Sequence, residues 1–372
     1  AAGQGVNNLD LHDETGAGLV RIVLGLWALS AASCFGGELS PPGPQQYDDT
    51  LTLRRIHRKL SFKMSAALME RRGLMGIGGG PQEISRNLVD TPIVTIRKED
   101  GRKFINQYET LKELGKGSFG KVKLIKHTET GELFALKVFN KNVLRKKRMG
   151  TRNMLQDVEH EIRIMKQMDH PSCIKLYEVL DSPDYHKLFL RLEYCEGGHP
   201  ICTENLPTDP LPEAAARKYF RGLLDGLDYI HSSNIIHRDI KPENLLLTKD
   251  GMIKLADFGT GQVLEDGNDL INKSAGTPAF TAPEACVEGD FSGKGADIWA
   301  AGVTLYLFVH GKCPFISNNL VQIFQMIRED PIEFSPTLSH NCRDLLEKIL
   351  EKDPKKRIQI PDIKNHEWLK ED

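Results

Sequence analysis

The strongest constraint on this chain is a series of short charged motifs in one order. His237-Arg238-Asp239-Ile240-Lys241-Pro242-Glu243-Asn244 is followed, after two strand-like segments, by Asp257-Phe258-Gly259 and then by Ala282-Pro283-Glu284. Upstream lie the glycine cluster Gly115-Lys116-Gly117-Ser118-Phe119-Gly120-Lys121-Val122 and Lys137, set inside the apolar run FALKVF. Downstream lie Asp297, in DIWAAG, and Arg357. One such motif is a hint, but five in register restrict the chain to a single fold.

The hydrophobic pattern shows how that fold is built. Between residues 108 and 139 three alternating runs, YETLKELG, KVKLIKHT and ELFALKVF, are separated by GKGSFG and by the turn signal Thr130-Gly131. They predict three consecutive antiparallel strands. Met154, Leu155, Val158, Ile162, Met165 and Met168 then recur at helical spacing, stopped by Asp169-His170-Pro171. Two more strands are expected at 174–181 and 187–194, and beyond Gly197-Gly198 helices at 212–232, 297–311, 320–329 and 342–350. A sheet-rich half feeding a helical half gives an α+β chain of two lobes with a cleft between them.

The glycine cluster lies between two strands and not between a strand and a helix, which separates it from a dinucleotide-binding turn. Such a hairpin can lay its backbone over phosphates, because glycine permits close approach. Lys137, mid-strand among apolar neighbours, needs an anion, since an unpaired buried ammonium is costly. Glu161, next to the inward-facing Ile162 on the following helix, can supply it. A purely structural ion pair would read the same way until the later motifs are added.

With those motifs the stretch 108–369 resembles the eukaryotic protein kinases. The resemblance implies a bilobal fold with a five-stranded antiparallel N-lobe (108–195) carrying one main helix, and a mostly helical C-lobe (196–369). It implies ATP and Mg2+ as cofactors. Phosphoryl transfer asks the protein to position a nucleophile and neutralise charge on the γ-phosphate. In this reading Asp239 orients the acceptor hydroxyl and Lys241 holds the γ-phosphate. Asn244 and Asp257 ligate magnesium, for which hard oxygen donors are suited, and Lys137, held by Glu161, binds the α- and β-phosphates. Leu114, Val122, Ala135 and Leu246 sandwich the adenine, Glu193 and Cys195 offer backbone contacts at the hinge, and Leu192 is the gatekeeper. Met165, Leu176, Phe258 and His237 form a stacked column. Lys241 and Thr277, in GTPAFTAPE, point to serine or threonine as acceptor.

LKELGKGSFGKVKLIKH, GTPAFTAPE, FSGKGADIWAAGVTLYLFVHGKCPF and RIQIPDIKNHEW resemble the calcium/calmodulin-dependent protein kinase kinases, and also plant and fungal kinases that activate AMP-activated-type kinases. That branch implies protein substrates that are themselves kinases, phosphorylated on an activation-loop threonine. Two alternatives keep the fold. One is a calmodulin-kinase-like enzyme for basophilic sites, with Glu243 meeting a substrate arginine; the other is a pseudokinase scaffold, opposed by the intact Lys137, Glu161, Asp239, Asn244 and Asp257. The chain departs from the animal enzymes in having only a short basic connector, KNVLRKKRMG, where they carry an Arg/Pro-rich insert. It shows no calmodulin-binding segment before Asp372, and Gly198-His199-Pro200 follows the hinge where an acid commonly meets the ribose. Ser274 lies in the activation segment, where Arg238 could meet a phosphate.

Composition closes off other classes. With 40% hydrophobic and 27% charged residues among 372, the chain is of ordinary globular make-up, and a net charge of -2 gives no reason to expect nucleic acid as a partner. Seven scattered cysteines without a CxxC pair read as reduced thiols, consistent with a cytoplasmic, also nuclear, location. Residues 1–107 are expected to be a mostly disordered or loosely ordered extension. It is acidic from Asp10 to Asp49 and basic from Arg54 to Arg72. Residues 19–35 are apolar but short for a span and interrupted by Arg21, and no basic cluster precedes them, so membrane association is not expected. Residues 51–74 could form a basic amphipathic helix, and Arg58-Lys59-Leu60-Ser61 resembles a basophilic phosphorylation site.

Overall fold

Side-chain alternation places the strands of the N-lobe. In chain order these are β1 (Val89–Thr91), β2 (Ile96–Glu99), β3 (Arg102–Ile105), β4 (Tyr108–Lys116), β5 (Gly120–His127) and β6 (Leu133–Asn140). After the short helix α1 (Lys141–Lys146) come β7 (Arg148–Met149), β8 (Arg152–Asn153) and helix α2 (Met154–Met165), then β9 (Leu176–Asp181) and β10 (Lys187–Glu193). The computed structural model describes residues 88–371 apart from 117–119, 150–151, 205 and 266, all within a unit spanning 84–372. The apolar run 19–35, the basic segment 51–74 and Ser61 lie outside the described residues, as do Gly117, Ser118 and Phe119 of the glycine cluster.

The five expected antiparallel strands are present, but the sheet has eight, in the order β1-β9-β10-β6-β5-β4-β3-β2. Three of the eight, β1 to β3, lie within residues 1–107, the stretch expected to be mostly disordered or loosely ordered, so residues 89–105 are an ordered part of it. An Asp100-Gly101 turn, both residues at positive φ, joins β2 to β3, and β3 pairs with β4. At the other edge β1 runs parallel to β9, with Val89 opposite Glu178.

The period of two then divides the sheet. Phe134, Leu136, Ile125, Phe189, Tyr108 and Leu180 close a small core on one face. Val122 lies opposite Lys137, and Leu192 opposite Ala135, so these four share the other face. Helix α2 starts at a capping box, Asn153 with Gln156, and buries Leu155, Val158, Glu161, Ile162, Ile164 and Met165. Its apolar face joins the main core, which continues into the C-lobe.

That lobe is built on α3 (Glu213–Ser232) and α4 (Gly293–His310), the latter buried along nearly its whole length around Trp299. α5 (Leu320–Glu329), α6 (His340–Ile349), α7 (Ile360–Lys364) and α8 (Glu367–Lys370) complete it. The short pairs β11 (Ile235–Ile236) with β14 (Gln262–Val263), and β12 (Leu245–Leu247) with β13 (Ile253–Leu255), frame the loops facing the sheet. Among the described residues no helix is long and apolar enough to cross a membrane.

Candidate active site

The C-lobe half of the site hangs from one buried carboxylate. Asp297, on α4, accepts the backbone N–H groups of His237 and Arg238 at 2.8 Å each, and its Oδ2 lies 2.9 Å from His231 Nε2. Burial alone would push this carboxyl up, but His231 and the backbone donors hold it below the usual carboxylate range. Arg238 takes a left-handed φ of 69°, which turns the chain sharply after β11. The His237 ring lies 3.0 Å from the Ala256 carbonyl and edge-on to Phe258, 4.9 Å between centroids. Met165, Leu176, His237 and Phe258 are all buried, as expected for the stacked column.

This loop delivers Asp239 to the cleft in a dense polar cluster. Asp239 Oδ1 accepts the N–H and the hydroxyl of Thr277, both at 3.0 Å. Lys241 Nζ lies 2.8 Å from Asp239 Oδ2 and donates to Thr277 Oγ1 at 2.7 Å. Asn244 Nδ2 donates to the Asp239 carbonyl at 2.7 Å and to Oδ2 at 3.1 Å. Gly276 is required here: its φ is +89°, and a Cβ would sit 2.4 Å from the Arg238 carbonyl and 2.8 Å from Asp239 Oδ1.

The N-lobe half is made by side chains from three separate elements. Lys137 Nζ, on β6, lies 2.7 Å from Glu161 Oε1 on α2 and 3.3 Å from Asp257 Oδ1. Burial alone would lower the lysine pKa, but Glu161 and then Asp257 outweigh it and hold the ammonium above its usual range. Burial likewise opposes ionisation of Asp257, yet Lys137 holds that carboxyl low. Asp257 sits at φ 61°, ψ 75°, the left-handed region, with its side chain 51% exposed. Asn244 donates its Nδ2 to Asp239, which leaves its Oδ1 and the Asp257 carboxylate as oxygen donors suited to a metal ion. Two such donors fit a magnesium ion that shares its shell with phosphate and water.

The described residues expected at the nucleotide come from both lobes. Val122, Ala135 and Leu192 come from the sheet, while Leu246 on β12 comes from the C-lobe and packs against the main core with Cys195. Leu114 is exposed at the rim, with Gly115 and Lys116 beyond it at the end of β4 and Gly120 opening β5. The Glu193 side chain meets Lys254 of β13 at 2.9 Å, so a C-lobe strand pins the hinge. The Cys195 thiol is pushed up to about 12 by burial and then by Glu193, and so acts as a packing group, not a thiolate. Sequence reading did not single out Lys254, although its alternation with Ile253 and Leu255 gave a signal.

The activation segment is held by neutral partners. Arg238 donates to Gln262 Oε1 at 3.1 Å and to the Lys273 carbonyl at 2.9 Å, while Ser274 is exposed. The segment ends in a bidentate pair, Arg357 to Glu284 at 2.5 and 2.8 Å, inside the C-lobe.

Comparison with known proteins gives the family. The protein kinase domain family matches residues 108–369. A probable serine/threonine-protein kinase of Dictyostelium discoideum is 43% identical over 278 residues, covering 73% of this chain and 39% of the relative. The calcium/calmodulin-dependent protein kinase kinase of Caenorhabditis elegans is 42% identical over 291 residues, covering 72% and 53%. The serine/threonine-protein kinase GRIK1 of Arabidopsis thaliana is 39% identical over 272 residues, covering 73% and 68%. The chain thus spans about two fifths of the first of these and about half of the second. It belongs to the protein kinase family, as a eukaryotic serine/threonine protein kinase.

Proposed function

We propose that this kinase transfers the γ-phosphoryl group of Mg-ATP to the activation-loop threonine of another protein kinase. The observation that carries the serine/threonine chemistry is the Asp239–Lys241–Thr277 triangle, with distances of 2.7 to 3.0 Å. GTPAF, FSGK and the similarity to a nematode protein named as a kinase kinase support the choice of substrate.

When bound, the Mg-ATP complex supplies the transferable phosphoryl group and neutralises much of its charge. Lys137, charged and fixed by Glu161, offers its remaining hydrogen-bonding capacity to phosphate oxygens. Asp239, already an acceptor for Thr277, is placed to accept a hydrogen bond from the acceptor hydroxyl, orienting its oxygen for in-line attack. Lys241, two residues on, balances the charge that develops between them. Thr277 ties the acceptor platform to this base, so the peptide site and the catalytic loop move as one.

The test is to incubate the full chain with Mg-ATP and a catalytically dead AMP-activated-type kinase domain, then map phosphosites by mass spectrometry. Phosphate on the activation-loop threonine is the expected result; modification elsewhere only would remove the kinase-kinase reading. The exposed Glu243, between buried Pro242 and Asn244, favours a second reading with arginine-directed acceptors. A basophilic peptide that outcompetes the kinase domain would support it.

A further inference from the structure

The segment 88–105 touches the N-lobe at more places than an edge strand needs. β1 pairs with β9 at one edge of the sheet, and β2 and β3 close the other edge against β4. Only residues 92–95 join β1 to β2, and five residue steps reach at most about 18 Å. The two edges are therefore drawn together, and the curled sheet is nearly closed by its own N-terminal segment. Leu88 packs on the main core, whereas Val94 and Ile96 pack on the small core across the sheet.

Two polar contacts tie this brace to the elements that carry the site. Thr91 Oγ1 donates to Glu178 Oε1 at 2.5 Å, and the buried Glu178 also accepts Tyr108 Oη at 2.6 Å and Arg191 Nε at 3.1 Å. Asp90 accepts Lys166 Nζ on both carboxylate oxygens at 2.6 Å. Lys166 is the C-cap of α2. It follows Met165 of the stacked column and lies five residues, roughly 7.5 Å of helix rise, from Glu161.

Among the described residues, helix α2 has few other fixed points on its polar side. His160 Nε2 lies 3.1 Å from the Gly261 carbonyl, and Glu161 meets Lys137. A shift of the C-terminal end of α2 would be transmitted along a rigid helix to Glu161, and from there to the Lys137 ammonium.

We propose that Asp90 and Lys166 are positioning residues for phosphoryl transfer: through this ion pair the brace 88–105 sets the angle of α2 and keeps Glu161 on Lys137. An exposed ion pair of this kind contributes little to global stability. Its effect is on which arrangement of α2 is populated.

The experiment uses the full chain, with transfer to a generic serine/threonine acceptor protein, so that it does not depend on the kinase-kinase reading. Asp90→Lys, Lys166→Asp and the double exchange are compared for kcat, KM for ATP and melting temperature. Each single variant is expected to lower kcat/KM for ATP by about threefold or more, and the double variant to restore most of it, the signature of a direct pairwise coupling. The melting temperature is expected to move by less than about 2 °C. Singles that match wild type, a double variant no better than the worse single, or activity that falls only in step with melting would each overturn the proposal.

Discussion

The two halves of the active site are held by different means. The C-lobe half, with Asp239, Lys241 and Asn244, is fixed through main-chain hydrogen bonds to one buried carboxylate, Asp297, inside the core of α4. The N-lobe half, with Lys137 and Glu161, is closed by side chains from a strand and a helix that share no backbone hydrogen bond. Main-chain anchoring to a buried charge cannot relax without local unfolding, because it would leave that charge unpaired. The Lys137–Glu161 pair is buried as well, 15% and 3% exposed, so it opens only if α2 moves and carries Glu161 toward water. The two halves thus differ in what must move: the main chain of a loop in one, a helix in the other.

Removing the anchor is the harshest way to break the comparison. Asp297→Asn should cost about 3–5 kcal/mol, as expected for unbalancing a buried charge cluster, and should disorder the catalytic loop. Chemical denaturation checks the first effect and transfer activity the second. The pH dependence has a defined sign. The folded carboxyl lies below its unfolded value of 3.8, so its contribution is complete above that value and is lost as pH falls through the lower folded value. The wild type should therefore lose stability below about pH 4 by a step that the Asn variant lacks, measured as the difference between their denaturation midpoints. Equal stability of the two at neutral pH would contradict the anchoring role.

The smallest expected effect concerns the activation segment. Arg238 is engaged by Gln262 and the Lys273 carbonyl, and Thr277 meets Asp239 directly, contacts in which the exposed Ser274 takes no part. Ser274→Ala should therefore keep kcat within about twofold of wild type, since a surface substitution away from such contacts changes little. Steady-state assays of recombinant protein check this, and a near-complete loss would make Ser274 an obligatory switch.

Legibility in the sequence follows the same division. Asp239, Asn244, Asp257, Lys137 and Glu161 could be read because their chemistry demands particular side chains at set spacings, and the apolar alternation around Lys137 gave the strand that bears it. The brace could not be read from hydrophobic pattern. Its strands are three or four residues long and mostly exposed, so no period of two emerges, and β1 finds its partner across nearly ninety residues, Val89 opposite Glu178. Asp100-Gly101 was the available signal, a dipeptide suited to a two-residue hairpin between IRKE and RKFI. Gln262 and Lys254 were not singled out for a different reason: each matters through one contact, to Arg238 and Glu193, that only the folded chain creates.

The most direct measurement follows transfer of radiolabelled phosphate from Mg-ATP to a serine/threonine acceptor by the wild-type chain and by Asp239→Asn. This removes the carboxylate that the proposed mechanism uses to orient the acceptor hydroxyl, while the volume of the side chain is kept. Activity should fall by about 10²–10⁴-fold with the melting temperature little changed. Equal transfer by the two proteins would contradict the assignment of Asp239 as the group on which the reaction turns.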